Sequence, residues 1–573
     1  MSAGFSREAE PLHHLPSASR VQSSFVSPAQ SVHRRPGRIL LGLFLALAFI
    51  GIAGCSGASG GTATSTSQAP TTTMPVEVRK GGVLSIAVPN LPASWSPAGP
   101  AWSTSEYQAA RAIYDRLMVR DQNDKPVGEL IERITPNSTF TAWTLELRKG
   151  ITFSDGAPLD AVTVAANLNL QRLAPAAAEL LKPVIFVTAP SELTVVVATA
   201  EPWSTFPEVL TTQVGAIASI PTLTGESPTP IGTGPFVHGS VALDGSLLLG
   251  RNATYWRTGL PHLDTVRLVV IAEADARTAA VLDGTVDMVA IDQPRQISLV
   301  ERDRSAGEKL SILDDRNAEK LKVAVALNTG RPPFDRITAR RAFAMATDRT
   351  AILTQVYDGQ GVISRGIISD TSPWFSDHSA PARDLEGARR QVAEYTDETG
   401  EPVAAQMLVP PDVTVTRVAT MLRVQLAEAG IDLTLIPVDP AMMIEATTTG
   451  QYQSALGVGF AAAHPDAYAP LFAGSPSEQP AVTKNITRYV NPFVTMAFAD
   501  ARSTRDVTRQ VDDYRIIQEQ MFVDMPMVFI VQQRRVILVS TSVNDAQRWT
   551  TGSGATGLGQ DASTLSLAQI WKS

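Results

Sequence analysis

A single cysteine, Cys55, stands in a chain of 573 residues. That removes intrachain disulfides and cysteine-built metal centres from the ways this chain can be held together. Stability has to come from buried apolar surface. A chain of this length divides such burial among two or three lobes rather than one core. Composition allows it, with 44% hydrophobic and 18% charged residues. The net charge of −8 and pI near 5.5 give no basic field, which excludes nucleic acid as a partner. Lysine is scarce beside arginine and alanine is abundant, the bias of a GC-rich genome.

The position of the cysteine is as informative as its number. Arg34, Arg35 and Arg38 precede an apolar run from Ile39 to Ile50, and Ile52-Ala53-Gly54-Cys55 follows. The run is too short to cross a bilayer, which takes about 20 residues. A charged segment, an apolar segment and small residues at a cut are the layout of a signal peptide. The cut resembles the bacterial lipobox, which implies lipidation of Cys55 as the first mature residue. From Cys55 no charge appears until Glu77, and Ser, Gly, Thr, Ala and Pro dominate. Such a segment cannot bury enough surface to order itself, so 55–78 is expected to be a tether behind a leader of 1–54.

Beyond the tether the pattern is mixed α/β. Branched residues at period two predict strands over 82–89, 141–148, 193–198, 266–271, 321–327 and 431–438. Helical spacing predicts helices over 105–117, 338–346 and 413–429. Another is expected to start at an Asp160 cap and run through Leu170, and Gly430 is expected to end the helix before it. Asp155-Gly156 marks a turn. Gly232 and Gly234 are expected to supply backbone angles that other residues resist. Trp143, Tyr255 and Trp256 read as packing residues.

Catalytic motifs are missing. Beyond the tether there is no Gly-x-Ser-x-Gly nucleophile elbow, and the chain has no P-loop or His-Glu-x-x-His. Gly552-Ser553-Gly554-Ala555-Thr556-Gly557 has dinucleotide-loop spacing, but only 16 residues follow it, too few for the strand and acidic residue such a site needs. It is read as a glycine-rich loop with no cofactor. His238, His262, His378 and His464 are too dispersed for a metal site, and His464 is expected at the surface or in a cleft.

Eight stretches, taken in order, resemble the extracellular solute-binding proteins of family 5, which take peptides, nickel and opines. They are GGVLSIAVPNLPASWSP at 81–97, AIYDRLM at 112–118, WTLELRKGITFSDGAPLDAVTV at 143–164, PIGTGPF at 230–236, RNATYWRTGLPHLDTV at 251–266, LDGTVDM at 282–288, LNTGRPPFDRITARRAFAMATDRTAI at 327–352 and QLAEAGIDL at 425–433. The resemblance implies a two-lobed clamshell of mixed sheets flanked by helices, with an extra subdomain. Lobe I would be 79–118, 221–320 and 536–573, its subdomain 119–220, and lobe II 321–535. The crossings near 320 and 535 would form the hinge.

By the same resemblance, the function would be capture of a small solute, peptide first, for the permease and ATPase subunits of an ABC importer. The protein would be a monomer held to the outer face of the cytoplasmic membrane by lipidated Cys55. Other expectations are a nickel complex, opine, sugar or haem as ligand, or an envelope scaffold with the same fold. Three segments are expected at the ligand. Trp102-Ser103-Thr104 would pair its backbone with an extended peptide. Trp374 would stack on the ligand or pack into the core. Gly459, Phe460, Ala461, Ala463 and Asp466 fall in a stretch that in peptide binders carries an amine-clamping aspartate. Here Ala463 occupies the aspartate position and Asp466 a later acidic one.

Overall fold

Alternation in VLSIAV makes Val83–Val88 a strand, and its apolar side chains on both faces place it inside a sheet. It pairs in parallel with Thr265–Val270, from Val83 opposite Thr265 to Val88 opposite Val270, and with Met288–Ile291 on its other side. Those three strands are the centre of a seven-stranded sheet. Its order is Leu310–Asp314, Val536–Ser540, Met288–Ile291, Val83–Val88, Thr265–Val270, Leu247–Arg251 and Phe236–Val241. One face packs Leu84, Ile86 and Val88 against Ala109, Ala112 and Ile113 of the helix Thr104–Ile113. The other packs Ala87 and Val289 against Ala280 and Val281 of the helix Ala274–Leu282. The computed structural model describes residues 77–174, 176–303, 306–378, 382–462, 464–474, 483–561 and 563–573. Cys55, the leader and the tether as far as Val76 lie outside the described residues, as does Ala463.

A second sheet has six strands in the order Gly361–Ile363, Met527–Gln533, Lys322–Leu327, Ser454–Gly459, Ala404–Val409 and Asp432–Pro437. Its central strand, KVAVAL, is buried at every position. Val323, Val325 and Leu327 face a core built with the helices Ile337–Ala346, Leu385–Thr399 and Val413–Glu428. Ala324 and Ala326 belong to the opposite face, with Pro492–Arg502 and Val507–Asp524. The chain passes between the two large sheets twice, over 315–321 and at Arg534-Arg535.

A third, four-stranded antiparallel sheet joins Ile131–Pro136, Ala142–Leu147, Thr194–Thr199 and Val184–Ser191. It closes its own core around Trp143 and Trp203. The helix Ala161–Gln171 covers it, capped by Asp160, whose carboxylate accepts the Thr163 N–H at 2.8 Å. The 76–573 unit thus holds every described core.

Two local expectations are corrected. The helix expected over 105–117 stops at Ile113, where Tyr114 turns extended, with φ −114° and ψ 124°. Gly232 and Gly234 do not have positive φ. Their role is close approach: a Cβ on Gly232 would sit 2.1 Å from the Ile113 carbonyl oxygen, and one on Gly234 2.5 Å from it. The Gly234 N–H donates to that oxygen at 2.8 Å, satisfying a carbonyl that the helix end leaves open. Gly430, by contrast, does take positive φ, +87°, just past the helix Val413–Glu428. Gly234→Ala is expected to cost about 3 kcal/mol through forced backbone displacement, seen as a lower midpoint in urea unfolding. A loss below ~0.5 kcal/mol would mean that the contact relaxes.

Candidate ligand-binding cleft

The carboxyl ends of Val83–Val88 and Met288–Ile291 mark the place where the covering helices change faces. In sheets of this kind such a switch leaves a crevice. Here the crevice is a recess with about 860 Å³ of unfilled space. Asn90, Ser103, Thr104, Arg277, Asp292 and Arg535 line it. Arg535 Nη2 donates to Thr104 Oγ1 at 2.5 Å. Because Arg535 precedes the strand Val536–Ser540, this recess borders the second crossing.

A second recess, with about 900 Å³ of unfilled space, lies on the alanine face of the six-stranded sheet. Ala324, Ala326, Gly459, Phe460, Ala461 and Ala462 form its floor and rim. Gly459 pairs with Lys322, the first residue after the first crossing, so this recess borders a crossing too. Phe460 is held in the left-handed region at φ +62°. Its carbonyl accepts from Lys322 Nζ at 2.8 Å, and its ring meets Phe529 with centroids 6.0 Å apart. Lys322 is fully buried beside Glu319, at 2.9 Å. Burial pushes the Lys322 ammonium down from its usual value, against the opposing pull of Glu319.

The expected site residues divide. Ser103 and Thr104 line the first recess, and Gly459, Phe460 and Ala461 the second. Trp102 lines neither. Its ring lies parallel to Tyr114 at 6.1 Å, its indole N–H donates to the Ser94 carbonyl, and its backbone N–H donates to Gln213. The Ser103 N–H is also taken, by Glu106 in a capping box. Neither donor is free to pair with a peptide.

Trp374 packs edge-on against His464 and Tyr514, with centroids 5.0 and 5.4 Å away, and lines neither recess. His464, expected to be accessible, is 6% exposed, and burial lowers its pKa.

Asp466 is corrected most sharply. It is 3% exposed, and its carboxylate accepts from Arg502 Nε at 2.5 Å, Trp203 Nε1 at 2.7 Å and Thr205 Oγ1 at 2.8 Å. Burial would raise its pKa, but Arg502 and these hydrogen bonds hold it below the ordinary value. It clamps the core of the four-stranded sheet to the helix Pro492–Arg502, and its burial keeps it from a ligand amine.

The sequence reading missed Arg277, Asp292, Arg535 and Lys322. The only signal was Arg534-Arg535 interrupting an apolar strand pair.

A buried acidic pair lies away from both recesses. Asp115 accepts from Trp256 Nε1 at 2.8 Å and Tyr255 Oη at 3.3 Å. Glu129 accepts the Gly552 N–H at 2.5 Å, which gives the glycine-rich loop a structural task. Burial raises both carboxyl groups above their usual range, and repulsion from Asp115 adds to the rise at Glu129, with Arg257 opposing. An acid with a raised folded-state pKa binds more protons folded than unfolded. Stability is therefore present near pH 4 and lost as pH rises through the folded values towards neutrality. Glu129→Gln should reduce that loss, narrowing the gap between the urea midpoints at pH 5 and pH 7.5, with burial of Asp115 sustaining the remainder. An unchanged slope in the variant would remove the pair as its source.

Residues 125–479, well over half the chain, match the family described as bacterial extracellular solute-binding proteins, family 5 Middle. The chain belongs to this family. It is similar to the glutathione-binding protein GsiB of Escherichia coli strain K12, with 24% identity over 455 residues, covering 76% of this chain and 86% of GsiB. Among solved structures it resembles DppA of Helicobacter pylori in complex with the peptide STSA. That match has TM-score 0.71 and 19% identity, covering 86% of this chain and 98% of DppA. It also resembles the oligopeptide-binding AppA of Bacillus subtilis in complex with a nonapeptide, with TM-score 0.69, 18% identity, and coverage of 87% and 100%. The fold is the two-lobed one of periplasmic binding proteins. The chain is an extracytoplasmic solute-binding protein of the ABC-importer type, a family of binding proteins rather than enzymes. No helix among the described residues is long and apolar enough to cross a membrane.

Proposed function

We propose that this protein is the lipid-anchored receptor of an ABC importer, capturing a peptide between its lobes and delivering it to a membrane permease, without catalysis. The observation that carries the reading is the pair of recesses. One lies on each large sheet, and each borders a crossing of the chain. Closure about those crossings would bring two unfilled walls onto one solute, and binding selects the closed state by its differential affinity. The lobes in this reading are 79–118 with 221–320 and 536–573, and 321–535, with 119–220 as the subdomain of the first. The peptide as ligand is carried over from GsiB, DppA and AppA, whose names record glutathione or peptides.

Two measurements test it. Thermal melts of residues 77–573 against di-, tri- and longer peptides, nickel chelates, haem and oligosaccharides should show a rise with one peptide class. At 100 times the dissociation constant, the ligand adds about 2.7 kcal/mol to the state that binds it. A rise with only a non-peptide would replace the ligand. No rise with any, in folded protein freed of carried-over ligand, would favour an envelope scaffold. Separately, Cys55→Ala in the full chain should abolish lipid labelling and release the protein from membranes. Retention of the variant on membranes would remove the anchor.

A further inference from the structure

The two recesses differ in charge. Arg277 and Arg535 line the recess on the seven-stranded sheet, and neither has a carboxylate within 4 Å among the described residues. Arg277 donates through Nη1 alone, to the Ile271 carbonyl at 2.8 Å and the Ala272 carbonyl at 2.6 Å. Arg535 donates through Nη2 to a neutral hydroxyl. A guanidinium offers five N–H donors, so each retains a set without a protein partner among the described residues. One acid, Asp292, lines the same recess, leaving it net positive.

The recess on the six-stranded sheet has no charged side chain among its described lining residues. Its polar side chains are Thr447 and Tyr468, and the Tyr468 hydroxyl already accepts the Ala462 N–H at 3.1 Å. The nearby Asp466 is spent on Arg502, Trp203 and Thr205. A protonated amine buried against this wall would lose its hydration with no anion among the described lining residues to replace it. An apolar group would lose nothing.

We infer that the solute presents a carboxylate to Arg277 and Arg535 and lays an uncharged, apolar body on the opposite wall, with no free amine held there. This rests on the interlobe cleft proposed above and narrows its ligand to amine-blocked or amine-free carboxylates. Carboxylates suit the site because a guanidinium binds them through paired, charge-assisted hydrogen bonds.

The test is calorimetric titration of residues 77–573 with two sets of probes. The first is acetyl-Leu-Leu-Leu as the free acid, its carboxamide, and Leu-Leu-Leu with a free amine. The second is 6-phenylhexanoate and its amide. In at least one set the acid should bind at least about tenfold more tightly than the amide, and acetylation should not weaken binding. Arg277→Gln and Arg535→Gln should each reduce that acid-to-amide ratio by about tenfold. General loss of packing would instead weaken acid and amide alike and leave the ratio intact. An acid-to-amide ratio near one in both sets, a ratio unmoved by both variants, tenfold tighter binding of the free amine, or no binding by either acid overturns the inference. Failure of the cleft-ligand reading looks different. If only the phenylhexanoate pair binds with the expected ratio, the peptide falls and the carboxylate stands. If peptides bind regardless of their C-terminal charge and the phenylhexanoate pair shows no preference for the acid, the peptide stands and the carboxylate falls.

Discussion

Lys322 is a charge that the fold has to answer. It opens the central strand of the six-stranded sheet with its side chain fully buried. An isolated ammonium there would cost at least several kcal/mol. Three acceptors surround it: the Glu319 carboxylate and the carbonyls of Lys320 and Phe460. Glu319 and Lys320 belong to the first crossing, and Phe460 is the left-handed residue at the rim of the second recess. Glu319 also accepts the Ser369 N–H at 3.1 Å. One satisfied ammonium therefore holds a crossing, a strand and a cleft wall in one arrangement. The second crossing is tied to the first where the Asp315 N–H donates to the Arg535 carbonyl at 3.2 Å, and Arg534 anchors it to Asp314 and Glu301, each at 2.6 Å.

Asp466 shows the same economy in a different place. Its carboxylate satisfies an arginine, an indole and a hydroxyl drawn from distant parts of the chain. Arg502 also lies 5.3 Å above the Trp203 ring, and Arg505 lies 5.0 Å above Trp143. Breaking such a buried pair leaves a charge uncompensated, a far larger penalty than the net worth of the pair. One recess is left with two arginines that have no carboxylate within ion-pair distance among the described residues, and the other with an apolar lining. A site that excludes acids on one wall and presents cations on the other selects by what each desolvated group finds opposite it.

Much of the fold was legible in the residues. Strands such as LKVAVAL and GVLSIAVP declare themselves by period two because a pleated strand sends alternate side chains to opposite faces. Asp160 and Gly430 end helices for local reasons, a side chain replacing a missing backbone partner and a backbone angle that glycine tolerates. The helix after Ser103 was overrun by four residues, because its end is set by Gly232 and Gly234 pressing on Ile113 from 120 positions further along. Local spacing holds no record of that contact. The candidate site was legible only in part. Gly459, Phe460, Ser103 and Thr104 line recesses, whereas Trp102, Trp374 and Asp466 are consumed by internal partners.

By itself the sequence determined the absence of intrachain disulfides, the mixed α/β texture and the family. Each of these depends on local pattern, on composition or on an ordered set of short motifs. Tertiary structure decided which polar groups are free. Asp466 and Arg535 are equally charged on paper, but one is buried and paired with residues more than 30 and more than 260 positions away, and the side chain of the other meets a hydroxyl alone among the described residues. Whether a charge is available to a ligand depends on what the folded chain has already placed against it, and that is a property of contacts between segments distant in sequence.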